Sequence, residues 1–168
     1  MGDIFREQLV KKLPDQTTIL KKAALVTAPV LVYLVLALFL PPVVGSIALI
    51  GFVVACSLSV YLWKRLDIEY EYILLGKEID VDIIYSKSKR KRLLTLSLEQ
   101  AQVLAPAGSA KLDDYSRLAK KDLTGGSGQD VWVLVTKVGM EQMAVSLELY
   151  GDMIEDLSNV IPNKLVRN

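Results

Sequence analysis

Histidine is absent from the 168 residues, and cysteine occurs once, as Cys56. Without histidine the chain lacks the commonest general base and the commonest metal ligand. A Ser-His-Asp triad is therefore excluded, and a lone thiol permits neither an internal disulfide nor a multi-cysteine metal site. Net charge is nearly absent too, at +1, so no global field draws the chain to nucleic acid and any electrostatic surface must be local. Finally, charge is missing in one long block, because no Asp, Glu, Lys or Arg occurs from Ala23 to Trp63.

That block accounts for a hydrophobic fraction of 52% and a mean hydropathy of +0.35, both high for a water-soluble chain. A charge at the centre of a bilayer helix costs roughly 2.5–3.5 kcal/mol, so a gap of this length points to hydrocarbon. Pro41-Pro42 divides it into two spans, 23–40 and 43–63. A signal peptide fits less well, since the charged leader is long and the two halves are separated only by Pro-Pro. Val53-Val-Ala-Cys56 resembles a lipoprotein cleavage box but lies too late in the chain to be one. Arg6, Lys11, Lys12, Lys21 and Lys22 precede the first span, Lys64 and Arg65 follow the second, and the connection between them has no charge. The positive-inside rule then places the protein in the cell membrane as a multi-pass protein with both termini cytoplasmic. Gly51, Ala55 and Ser59 recur every four residues in the second span, as Ala24 and Ala28 do in the first. Such stripes let helix backbones approach, either to seal the hairpin or to join two copies or a protein partner.

Before the spans, Phe5, Leu9 and Leu13 fall four apart, with Ile4 and Val10 beside them. This spacing predicts a short amphipathic helix capped by Asp3, ended by Pro14 and lying on the bilayer surface, within a leader of residues 1–22. From residue 64 to 168 the periodicity changes to two. Ile68, Tyr70, Tyr72 and Leu74 alternate with Glu69, Glu71 and Ile73; Gly76-Lys77 supplies a tight turn; Ile79, Val81, Ile83 and Tyr85 then alternate with Asp80 and Asp82. A two-residue loop sets Leu74 against Ile79 and Tyr72 against Val81, gathering the apolar residues on one face. A third strand over about Lys91–Leu98 would set Leu94, Leu96 and Leu98 across from Tyr85, Ile83 and Val81. Val103-Leu104 reads as strand, Asp113-Asp-Tyr115 as a possible strand start, Gly125-Gly-Ser-Gly128 as a loop, and Val131–Val138 with Gln142–Leu149 as a hairpin around Gly139-Met140. Asp152 with Glu155 reads as the cap of a closing helix that buries Met153, Leu157 and Val160 or Ile161 before Pro162.

The fold class expected is α+β: a two-helix transmembrane hairpin, then a small antiparallel β domain, a curved sheet or barrel, closed by a C-terminal helix. The hairpin together with Glu69-Tyr-Glu-Tyr72, Ile79-Asp-Val-Asp82, Lys89-Arg-Lys-Arg92, Val103-Leu-Ala-Pro106 with Gly108-Ser109, and Ile161-Pro-Asn-Lys164 resembles an uncharacterised family of small two-span membrane proteins of low-GC Gram-positive bacteria. It also resembles, more distantly, bacterial membrane-attached pleckstrin-homology-like (PH-like) domains. The resemblance implies location and fold and no reaction.

Glu69, Glu71, Asp80 and Asp82 read as the water-facing side of two strands rather than a cation site. Gly125–Gly128 lacks the ending of a phosphate-binding loop. No catalytic, cofactor-binding or metal residues are assigned. The surface singled out is basic: Lys64, Arg65, Lys87, Lys89, Arg90, Lys91 and Arg92, delivered by the strand lengths to the cytoplasmic bilayer surface and suited to anionic lipid. No aromatic interleaves with it, so nucleic acid is not the partner expected. The functional class is a non-catalytic, membrane-anchored interaction or lipid-contacting module; the alternative is an accessory subunit of a membrane transporter or envelope complex.

Overall fold

Aspartate and proline set the first helical boundary. Asp15 accepts hydrogen bonds from the Thr18 N–H (2.8 Å) and the Thr17 hydroxyl (2.9 Å), satisfying donors that a helix start leaves open. In the computed structural model, which describes residues 4–39 and 41–166, helix α1 accordingly runs over Gln16–Phe39. Helix α2 runs over Pro42–Arg65, with Pro42 at its first position, where its missing N–H costs nothing. Each has 24 residues, about 36 Å at 1.5 Å per residue, against roughly 30 Å of hydrocarbon. Both are long and apolar enough to cross a membrane, and none of their apolar windows is buried. Leu40, expected as the end of the first span, lies outside the described residues.

Pro14–Ile68 forms one compact unit and the rest of the chain the other. Within the helical unit Tyr33 packs on Phe52, ring centroids 4.9 Å apart. At the opposite end Lys22 forms an ion pair with Asp67 at 2.8 Å and lies 5.3 Å from the Trp63 ring centroid. Pro29 sits inside α1, yet the Thr27 hydroxyl bonds the Ala23 carbonyl, not the Leu25 carbonyl that a proline at 29 deprives of its donor.

The second unit holds two sheets. The first has the order β1-β2-β3-β4, with β1 Phe5–Lys11, β2 Ile68–Leu75, β3 Glu78–Tyr85 and β4 Lys89–Ser97. The second has the order β5-β7-β8-β6, with β5 Val103–Pro106, β6 Ala119–Asp122, β7 Val131–Val138 and β8 Glu141–Glu148. Helix α3, Gly151–Val160, closes the unit. Tyr72, Leu74, Ile79, Val81 and Leu96 from one sheet and Leu134, Val145 and Leu147 from the other are fully buried, as are Leu98 just after β4 and Met153 and Leu157 of α3. A 3-10 turn, Ala110–Tyr115, packs Leu112 and Tyr115 on a smaller cluster of Val103, Ala105, Val135 and Ala144.

Several expectations need correction. Residues 5–11 are strand, not helix: β1 pairs antiparallel with β2, Phe5 opposite Leu75 and Lys11 opposite Glu69. Its inward side chains reach the far side of the unit, Gln8 to the Glu148 carbonyl and the Tyr150 N–H, and Arg6 to Asp156 at 2.6 Å. Those tertiary bonds outweigh a helical spacing only nine residues long. Asp3, the expected cap, lies outside the described residues. β6 runs parallel to β8, and Asp113–Tyr115 belongs to the 3-10 turn rather than a strand. The residue before α3 is Tyr150, with no side-chain cap; Asp152 instead lies 3.9 Å from Arg6.

Candidate functional site

The basic segment is divided by a bulge. In β4, Leu96 lies opposite Ile79 and Leu94 opposite Val81, but Arg92 lies opposite Asp82, which leaves Leu93 as the extra residue. The pairing therefore differs from the expected one, in which Leu94 met Tyr85. Strict alternation would put Arg92 and Arg90 on the core side with Leu94 and Leu96; the bulge turns them to the outer face instead. Lys91, opposite Ile83, and Lys89, opposite Tyr85, take the other face. The turn between β3 and β4 is closed by the Ser88 N–H on the Tyr85 carbonyl, and Ser86 and Lys87 both adopt positive φ, 52° and 55°.

The two arginines are held. Arg90 Nη2 donates to Glu71 Oε1 at 2.6 Å, and its Nε lies 3.9 Å from Asp82. Arg92 contacts Asp80 at 2.9 Å and Asp82 at 3.2 Å, and the Thr95 hydroxyl donates to Asp80. Glu71 and Asp82 were expected to face water, and their sheet face is the one expected, but only 3% and 4% of their surfaces remain exposed. The arginines cover them. Burial raises the Glu71 pKa above the usual carboxylate value; the Arg90 guanidinium opposes this, while Glu7 and Asp82 add to it. By contrast Lys87, Lys89 and Lys91 are exposed, and among the described residues they form no ion pair.

The remaining residues singled out from sequence lie in the helical unit. Lys64 and Arg65 occupy the last turn of α2; the Arg65 guanidinium stacks 4.7 Å from the Tyr61 ring centroid and donates to its hydroxyl. Gly51, Ala55 and Ser59 line, with Ala24 and Ala28, an open apolar groove of about 950 Å³ along the helices. A Cβ built on Gly51 would meet nothing within 4 Å, so Gly51 is not at a close backbone crossing.

Two features carried no sequence signal for function. A cavity of about 290 Å³ lies under the 3-10 turn, where Gly108, Ser109, Asp113 and Lys120 stand over Val135 and Ala144. Elsewhere the buried carboxylate of Glu148 accepts the N–H groups of Gly125 (3.1 Å) and Ser127 (3.0 Å) and the Ser127 hydroxyl. This binds the glycine-rich loop to β8, and the Leu13 N–H on the Gly125 carbonyl binds it to the end of β1.

Comparison with known proteins agrees with this architecture. No curated protein and no solved structure gives a significant match. A family profile described as bacterial PH-like domain (DUF6106) matches residues 2–167. Two apolar helices, two mainly antiparallel sheets and a closing helix, matched over nearly the whole length, place the chain in the bacterial PH-like domain family DUF6106.

Proposed function

We propose that the protein is a non-catalytic PH-like module, anchored in the cell membrane by α1 and α2, whose lysine-bearing sheet end contacts anionic lipid on the cytoplasmic side. One observation carries this reading. β1 ends at Lys11, shortly before α1 begins at Gln16, and β2 begins at Ile68, shortly after α2 ends at Arg65. Lys11 is paired with Glu69, and β3 returns to the same end of the sheet through the two-residue Gly76-Lys77 turn. Both covalent links to the helices and the Lys87 turn therefore leave one end of the first sheet. Three exposed lysines there contribute about 3 kcal/mol against an anionic leaflet, less at high salt.

β1 and β2 share a sheet, so the chain must return to the side it left, which two crossings achieve. The excess of lysine and arginine flanking the helices supports the cytoplasmic side. A second reading, an accessory subunit of a membrane complex, has the open groove along the helices in its favour.

The test uses the full chain in nanodiscs of zwitterionic or anionic lipid, with amide exchange followed over residues 85–91. Protection should be greater in anionic nanodiscs, and should fall with added salt or with Lys87, Lys89 and Lys91 all changed to Ser. Equal protection in both lipids refutes the proposal.

A further inference from the structure

The outer face of the first sheet is unbalanced in charge. Three carboxylates, Glu71 of β2 and Asp80 and Asp82 of β3, share two guanidiniums, Arg90 and Arg92 of β4. Arg92 serves both aspartates, and Thr95 donates to Asp80 as well. Glu71 has Arg90 alone. Arg90 Nη2 lies 2.6 Å from both carboxylate oxygens, donating to Oε1, and the buried Oε2 has no hydrogen-bond partner beyond that ion-pair contact. The neighbouring strand β1 offers Glu71 no cation directly: its cross-strand partner is Leu9, flanked by Glu7 on one side, and Lys11 lies opposite Glu69 at the end of the strand. A buried carboxylate with one cation and two acidic neighbours holds its charge at a cost, which a proton removes.

We propose that Glu71 is a proton-responsive latch on Arg90: protonation of the carboxyl releases the guanidinium from the sheet face and adds it to the row of Lys87, Lys89 and Lys91. Arg90 is already half exposed, 51% of its side-chain surface, and it lies between Lys89 and Lys91 at the same end of β4, on the opposite face of the strand from them until it is released. Once Glu71 is neutral, its remaining neighbour is Asp82, 3.9 Å away and already bonded to Arg92. The consequence for lipid rests on the proposed lipid contact; the latch itself does not.

The full chain in zwitterionic nanodiscs tests the latch alone. Infrared difference spectra with ¹³C-labelled glutamate should show a carboxyl that titrates above the ordinary glutamate value of about 4.3 and vanishes in Glu71→Gln. At constant pH, Glu71→Gln should raise modification of Arg90 by phenylglyoxal several-fold, with Arg92 as the internal reference. A Glu71 that titrates at or below the ordinary value, or Arg90 reactivity unchanged in Glu71→Gln, overturns the latch. In anionic nanodiscs one added cation should tighten lipid contact about fivefold as pH falls through the Glu71 titration seen in the infrared spectra. Glu71→Gln should show the tighter contact throughout, and Arg90→Gln should lack the increment. Arg90 release without any gain in lipid contact keeps the latch and refutes the lipid reading.

Discussion

Gly125→Ala should destabilise the sheet unit more than a substitution at any other glycine of its loop. A Cβ at Gly125 would lie 2.6 Å from the Lys11 carbonyl oxygen, 2.7 Å from Glu148 Oε2 and 2.7 Å from Val10 Cγ1. None of the three can yield easily. The first is backbone, the second is the carboxylate that holds Gly125 and Ser127, and Val10 is buried against the core. Relief requires the loop to withdraw, which stretches the Leu13–Gly125 bond of 2.7 Å and the Gly125–Glu148 bond of 3.1 Å. Overpacking costs about 1–3 kcal/mol and two weakened hydrogen bonds about 1 more, giving about 2–4 kcal/mol in all. For a unit of this size that is a fall in Tm of about 10–20 °C. Thermal unfolding of the full chain in nanodiscs, followed by Trp132 fluorescence in a Trp63→Phe background, measures it. Gly126→Ala is the control: it carries a φ of +84° but open space around its Cβ, so it incurs only backbone strain of about 1 kcal/mol. Equal Tm values for the two variants would refute the claim that the loop is clamped against β1.

Two further outcomes are expected. The Tyr72 hydroxyl is buried and donates to the Leu123 carbonyl at 2.7 Å, so Tyr72→Phe should cost about 1–2 kcal/mol in denaturant unfolding. Burial holds its pKa well above the usual phenol value, so the stability it contributes is complete below about pH 10 and is lost as pH rises beyond it; the alkaline slope should be shallower in Tyr72→Phe, and an unchanged slope contradicts the assignment. For topology, Phe5→Cys and Met140→Cys in a Cys56→Ser background should both resist a membrane-impermeant thiol reagent in intact cells. Labelling of both overturns the cytoplasmic placement, and labelling of one alone contradicts the packing of β1 into the same unit as the β7–β8 hairpin.

The apolar pattern made the architecture legible, and exceptions to alternation concealed the details. Tyr70, Tyr72, Leu74, Ile79, Val81 and Ile83 all face the core as period two requires. The last hairpin and closing helix follow from the same rule, and Pro41-Pro42 marked the break between the helices. β1 was misread because Phe5, Leu9 and Leu13 fit both periods: they form a helical stripe at spacing four and one face of a strand at spacing two. All three are exposed, Phe5 and Leu9 on the strand and Leu13 just beyond it. The site was half legible. The basic cluster is plain in Lys87–Arg92, but its division into bound arginines and exposed lysines depends on one extra residue, Leu93, whose position no local propensity marks. The burial of Glu71 and Asp82 follows from that same bulge, since without it no guanidinium would reach them.

The pairing of β1 with β2 also constrains how the protein is made. β1 leaves the ribosome first, and its partner strand emerges only after both helices have been synthesised. Until then the strand has no ladder to join. A chain that inserted only one helix would strand β1 on the opposite face of the bilayer from β2, leaving Glu69–Leu75 as a bare sheet edge and Arg6 and Gln8 without Asp156 and the Glu148 carbonyl. Bare edges invite aggregation and proteolysis. Completion of the first sheet is thus incompatible with a single crossing: β1 can join β2 only in chains whose two helices leave both strands on the same side.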